Sequence, residues 1–304
     1  MINGQENELP GELLRVYKDM VFKEGESNQK SPIFITVAGQ SGSGKTTYAN
    51  KMFKENNICI FDVDELNEIL YEWLKSQGKE FVSGTFPTNS VFFDYLKKAI
   101  EERKNIVLQG TASSEKFLGN VHNAKDHEYS TISLVIAMSP ERSALHSIER
   151  YIKEVRITGK GRAFPIKKIF DDVISLNKVI KIQEQYMINN DSKGGDLLII
   201  LGLEKSGNLE PIYYRSVQDI GKIARLCDFL GFTLSEKKYN SAFEALVAEQ
   251  KKDRSKLLSE PNLKNKLKQL SECIKDLKDP LGLELLDSFN KSIFPSIDND
   301  CLDK

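Results

Sequence analysis

The run AGQSGSGKTT at residues 38–47 holds the residue types that most directly imply chemistry. Gly39, Gly44, Lys45 and Thr46 complete the spacing G-x-x-x-x-G-K-[ST], in which backbone N–H groups of a glycine loop point at phosphate oxygens. The positive end of the helix that follows adds to the same field. Lys45 is then expected to reach the outer phosphates of ATP and Thr46 to ligate Mg²⁺, with Gln40, Ser41, Gly42, Ser43 and Thr47 completing the cradle. A chance glycine turn is the bland alternative. It is disfavoured because an apolar run, PIFITV, precedes the loop and a helical pattern, YANKMFKE, follows it.

The fate of the phosphoryl group turns on FDVDE, residues 61–65. Asp62 and Asp64 end the next apolar run and should emerge at the carboxyl edge of a parallel sheet, where open α/β sheets bind ligands. An aspartate there can orient an acceptor hydroxyl and take its proton; the competing role for Asp64 is to cap the helix that follows. NIVLQG ends in the neutral Gln109 where many phosphate-loop ATPases carry an acid for Mg²⁺, and no guanine-reading N-K-x-D element is present, which argues against a motor or a GTPase. Arg150 and Arg162 flank the glycine-containing loop RITGKGRAF and could close over the phosphates to stabilise charge in transfer. Lys153, Arg156, Lys160, Lys167 and Lys168 add positive charge nearby, although such a hairpin is often a solvated face.

These residues must be positioned by an alternation of short apolar runs and helical patterns. IFITVA, ICIFDVD, NIVLQG, TISLVIAM and DLLIILGL read as five strands of a parallel sheet flanked by helices, an α/β fold carrying a phosphate loop. Helices are expected after Lys45, over Glu65–Lys75 and over Asn89–Glu102, and two more begin at Ser139-Pro140 and at Pro165 to form a helical lid over about residues 140–170. Residues 1–31 read as a leader with one amphipathic helix, 32–215 as the kinase domain, and 216–304 as a helical C-terminal region. In the last, Leu263, Leu267, Leu270, Ile274 and Leu277 form a stripe that needs a partner surface, either the protein's own body or a second protein.

The 304 residues carry 43 Lys and Arg against 44 Asp and Glu, a net charge of −1, so the balance calls for neither nucleic acid nor an anionic membrane. A small molecule is the expected ligand. Cys59, Cys227, Cys273 and Cys301 lack metal-ligand spacing and are expected to be reduced thiols. With no signal-like start and no run approaching a membrane span, a cytoplasmic protein is expected, or an effector acting in another cell's cytosol.

Taken in order, GQSGSGKTT, FDVDE, LQGT, SIERY and GRAFP resemble the motifs of the zeta toxins of bacterial toxin-antitoxin systems, over roughly residues 32–215. The resemblance implies a kinase that uses ATP and Mg²⁺ to phosphorylate the 3′-hydroxyl of the amino sugar of UDP-N-acetylglucosamine, and an antitoxin or regulatory partner. It matches Lys45 and Thr46 to the ATP and Mg²⁺ residues, Asp64 to the general base, and Arg150 and Arg162 to the lid arginines. Asp62, Asp94 and Gln109 are the candidates for contact with the acceptor. The family's acid and its GTxR arginine are replaced in QGTAS by Gln109 and Ser113, and Asp94 matches a substrate-reading glutamate only after a shift of alignment; Phe92, Phe93 and Tyr95 beside it read as core. A kinase of another nucleotide, such as the ribose of NAD, and a nucleotide-binding module without catalysis are the alternatives.

Overall fold

The structure is a computed structural model that describes residues 11–22, 29–53, 58–78, 88–159, 161–204, 207–218, 220–232, 234 and 239–294. Strands β1 (Ile33–Ala38), β2 (Cys59–Phe61), β3 (Ile106–Gly110), β4 (Ser130–Ala137), β5 (Leu197–Leu203) and β6 (Leu209–Ser216) form one sheet in the order β2-β3-β1-β4-β5-β6. The first five are parallel and β6 is antiparallel to β5. Both faces of the parallel strands are covered, which is why they read as near-continuous apolar runs. β3 and β4 lie on either side of β1, so the chain turns in opposite directions at the carboxyl end of β1 and leaves a crevice there. The glycine loop occupies that crevice.

The helices follow from their apolar spacing. On one face of the sheet, α1 (Gly11–Val21), α3 (Val63–Ser76) and α4 (Thr88–Glu101) bury Tyr17, Leu66, Leu70, Phe92 and Leu96 against Phe34, Phe61 and Leu108. α5 (Lys116–Asp126), α7 (Ile166–Ile188) and α9 (Ala242–Leu258) continue that layer over Val135, Leu198 and Ile200. α2 (Lys45–Phe53) and α8 (Ile220–Leu230) cover the other face through Phe53, Leu226 and Leu230.

A fourth apolar cluster lies away from the sheet, where α6 (Pro140–Thr158) packs with α7, α9, α10 (Leu263–Asp276) and α11 (Pro280–Ile293). Here the leucine stripe finds its surface: Leu263, Leu267 and Ile274 are buried, and Leu270 and Leu277 partly so, against residues such as Leu145, Ile148 and Ile152 of α6. The stripe docks on the protein's own body.

Two elements depart from the expected pattern. The sixth strand, β6, is half-buried along most of its length, and Pro211 sits at the register shift opposite Leu201; an edge position tolerates a residue that cannot donate to the ladder. α5 carries Gly119, Asn120 and Asn123, poor helix formers that mask its period, and is held by Leu118, Val121 and Ala124 in the core. No described helix is long and apolar enough to cross a membrane.

Candidate functional site

The loop between β1 and α2 has the conformation its glycines permit. Gly42 and Gly44 lie in the left-handed region with φ of +79° and +86°. A Cβ on Gly42 would meet the Ser143 carbonyl oxygen at 2.1 Å, so that position admits no side chain. Gln40, expected in the phosphate cradle, is fully buried and ties the loop to the lid helix: its Nε2 donates to the Met138 carbonyl at 2.8 Å and to Ser143 Oγ at 2.7 Å. Ser43 is buried as well, and the Gly39 N–H donates to the Gly110 carbonyl at 3.2 Å. Gln40 and Gly39 therefore shape the cradle from behind and Ser43 lines a neighbouring cavity, while Ser41, Gly42, Gly44, Lys45, Thr46 and Thr47 face an open cavity of about 910 Å³.

Lys45 Nζ donates to the Gln40 carbonyl at 2.9 Å. Burial pushes its ammonium down to about 8, against the opposing pull of Asp62 and Asp64 and with further repulsion from Arg150. A polyanion in the cavity would supply a charge partner for this lysine. Thr46 Oγ1 donates to Asp62 Oδ2 at 3.0 Å. A hydroxyl and a carboxylate are hard oxygen donors of the kind Mg²⁺ takes, and one or two protein ligands suffice for this ion because phosphates and water fill the remaining positions.

FDVDE divides its two aspartates. Asp62 leaves β2 in extended conformation and caps α3, its Oδ1 accepting from the Asp64 N–H at 3.0 Å. Burial and the neighbouring Asp64 raise its carboxyl, while the hydrogen bonds from the Asp64 N–H and Thr46 oppose the rise. The capping role weighed for Asp64 thus belongs to Asp62, which also lines the cavity and whose second carboxylate oxygen accepts from Thr46. Asp64, in the first turn of α3, is exposed and lines the cavity.

The lid helix supplies a row. Arg142, His146, Arg150 and Glu154 recur every four residues along one stripe of α6, a signal present in the sequence but read only at Arg150. His146 Nδ1 lies 3.2 Å from the Gly42 carbonyl, which can only accept, so this nitrogen carries the hydrogen. Arg150 and Arg162 both line the cavity, and Arg162 is hydrogen-bonded to Glu154. The other lid cations go elsewhere: Arg156 Nη2 donates to Cys273 Sγ, Lys168 pairs with Asp172, and Lys153 and Lys167 are absent from the cavity wall. Lys160 lies outside the described residues.

The far wall corrects the reading of the acceptor side. Asp94 is exposed and does not line the cavity; Asn89, Phe92 and Phe93 of the same helix do, with Phe93 51 % exposed at its edge. Gln109 is 6 % exposed, lines the cavity, and its Oε1 has no hydrogen-bond partner among the described residues. Beside it the N-terminus of α5 opens onto the cavity with Ser113, Ser114 and Lys116, and its capping residue makes no side-chain hydrogen bond to the helix. A second cavity of about 860 Å³ shares Gly44, Thr47 and His146 with the first and is walled by Tyr48, Met138, Leu209 and Phe232.

The glycine loop at the switch point of a parallel sheet, with lysine and threonine opening α2, defines a phosphate-loop kinase-like α/β fold. The chain belongs to the zeta toxin family, whose model matches residues 18–192. It is 30% identical over 157 residues to Toxin PezT of Streptococcus pneumoniae serotype 4, covering 49% of this chain and 62% of that toxin. Toxin zeta of Streptococcus pyogenes is 26% identical over 135 residues, 42% of this chain and 47% of that protein. Each match thus spans less than two thirds of the relative's length. Among solved structures, one characterising the PezAT chromosomal toxin-antitoxin system of S. pneumoniae superposes with a TM-score of 0.58 at 19% identity, covering 89% of this chain and 98% of that one. That likeness is one of fold.

Proposed function

We propose that the protein is an ATP-dependent kinase that transfers the γ-phosphoryl group to a sugar hydroxyl of a nucleotide, with the 3′-hydroxyl of UDP-N-acetylglucosamine as the first-ranked acceptor. One observation carries the reading: Lys45, Thr46, Asp62, Asp64, Arg150 and Arg162 converge on a single cavity from α2, the start of α3, α6 and the loop after α6. In this reading the loop N–H groups and Lys45 hold the phosphates, and the second cavity takes the adenosine end. Thr46 and Asp62 hold Mg²⁺, which would draw charge from the phosphate oxygens. Asp64, free of the capping role, accepts the proton of the attacking hydroxyl. Arg150 and Arg162 take up charge on the transferring group.

Family membership supports the sugar-nucleotide acceptor. The N-terminus of α5, which has no side-chain cap, brings its positive end and Lys116 to the cavity and suits an anionic acceptor. The bare Gln109 oxygen suits a hydroxyl or amide donor on it. Because Gln109 and Ser113 stand where the family carries an acid and an arginine, another nucleotide acceptor, such as the ribose of NAD, is the second reading. As a family member, the protein is further proposed to be a toxin held in check by a cognate antitoxin and to act in the cytoplasm.

The test is to incubate the protein with MgATP and, separately, UDP-N-acetylglucosamine, NAD and common nucleosides, and to weigh each by mass spectrometry, with Lys45→Ala as control. One added phosphoryl group on the sugar nucleotide, lost in the control, is expected. Addition to NAD alone would move the reading to the second acceptor, and ATP binding without transfer to anything would replace the kinase by a binding module.

A further inference from the structure

We propose that Glu154 is a positioning residue that sets both cavity arginines, a role that rests on the kinase reading above. Its carboxylate receives Arg162 three times: the backbone N–H donates to Oε2 at 2.7 Å, and Nη2 and Nε donate to Oε1 at 3.0 and 3.3 Å. The same Oε1 lies 3.9 Å from Arg150 Nε, which has no hydrogen-bond partner among the described residues. One carboxylate therefore stands between two guanidinium groups that would otherwise repel each other across the cavity mouth.

The loop is built for this contact. α6 ends at Gly159, whose φ of +77° turns the chain back on itself while its N–H donates to the Val155 carbonyl at 2.8 Å. A Cβ on Gly161 would lie 2.6 Å from the Tyr151 carbonyl oxygen, so the returning chain lies flat on α6 with no room for a side chain. Arg162 then bridges from Glu154 towards Glu68 on α3, 3.9 Å away, across the mouth of the cavity. An arginine fixed in this way before substrate arrives loses less rotamer freedom when it engages the transferring phosphoryl group.

The role is tested by steady-state kinetics of the full chain for wild type, Glu154→Ala, Glu154→Gln, Arg162→Ala and the double variant Glu154→Ala/Arg162→Ala, together with trypsin cleavage after Arg162. Glu154→Ala is expected to lower kcat by about 10- to 100-fold with KM for ATP within about twofold. Glu154→Gln, which keeps an acceptor for the Arg162 N–H but not the charge, should fall between. Removing Glu154 from Arg162→Ala should cost less than removing it from wild type, because Glu154 and Arg162 act as a unit and only the effect through Arg150 is left. Glu154→Ala should also be cut faster after Arg162, and Glu154→Gln should stay protected. An unchanged or raised kcat in Glu154→Ala, or equal losses in the two backgrounds, overturns the proposal. If wild type transfers phosphate to no acceptor, the kinase reading fails on its own, and equal trypsin rates in wild type and Glu154→Ala then overturn the clasp separately.

Discussion

Asp62 and Asp64 are two residues apart and chemically identical, yet their surroundings differ. Asp62 is buried, bonded to Thr46 and to the Asp64 N–H; Asp64 stands exposed on the cavity wall. Asp64→Asn is expected to lower kcat by about a hundredfold or more while calorimetry still finds ATP bound, the cost of losing a general base. Asp62→Asn should instead raise the Mg²⁺ concentration needed for half-maximal rate. A mild effect at Asp64 beside a large kcat loss at Asp62 would reverse the two roles. At Gly42 the backbone decides the outcome: a left-handed conformation costs a residue with a Cβ about 1–2 kcal/mol, and the Ser143 carbonyl would block that Cβ as well. Gly42→Ala should therefore lower both melting temperature and ATP affinity, read by thermal scanning with and without nucleotide.

At the scale of elements, α6 is the hinge between chemistry and scaffold. One stripe carries His146, Arg150 and Glu154, and the helix is fastened along its length to the C-terminal helices. Arg142 bonds to Asp253 and Glu260, Tyr151 Oη donates to Asp279 Oδ2 at 2.6 Å, Arg254 pairs with Glu141, and Lys266 pairs with Glu149. Because Tyr151 adjoins Arg150, the placement of this arginine depends on helices more than a hundred residues later in the chain. Each of Arg150→Ala and Arg162→Ala is expected to cut kcat by roughly 10³-fold, with smaller changes in ATP affinity. Intact kcat in both would leave the hairpin as a solvated face. Ile274, fully buried under α6, tests the scaffold: Ile274→Ala should cost about 2–5 kcal/mol in denaturant unfolding, the usual loss for a large aliphatic cavity.

Over the whole molecule, buried charges tie distant segments together and set the response to acid. Burial alone would raise the Asp196 carboxyl, but Lys125, the Thr131 N–H and Gln218 outweigh it and hold the group below its ordinary range. A carboxyl depressed in the folded state contributes stability above its unfolded value of about 3.9, and that contribution is lost as pH falls through the lower folded value. Asp196→Asn should thus destabilise the protein at neutral pH and flatten its stability profile below about pH 4, as followed by urea unfolding across an acid series. A variant profile parallel to wild type would remove Asp196 from the acid response.

The sequence by itself determined what depends on neighbours along the chain. A phosphate loop is a local object: glycines at fixed spacing permit its backbone, and the strand before and helix after are readable from their own apolar runs, so Lys45 and Thr46 were legible as a pair. The five parallel strands and the proline-led start of α6 were legible for the same reason. Periodicity places a side chain relative to its own element, but it does not say which way that element is rotated against the others. Only the tertiary structure turned α4 so that Asn89 and Phe93, not Asp94, line the cavity. It also set Asp62 rather than Asp64 at the cap, folded Arg162 back onto Glu154, and laid the leucine stripe of α10 on α6. The cap and the Arg162 contact join residues two and eight apart, but the rotation of α4 and the seat of α10 are fixed by burial between segments far apart in sequence, energies that no local spacing records.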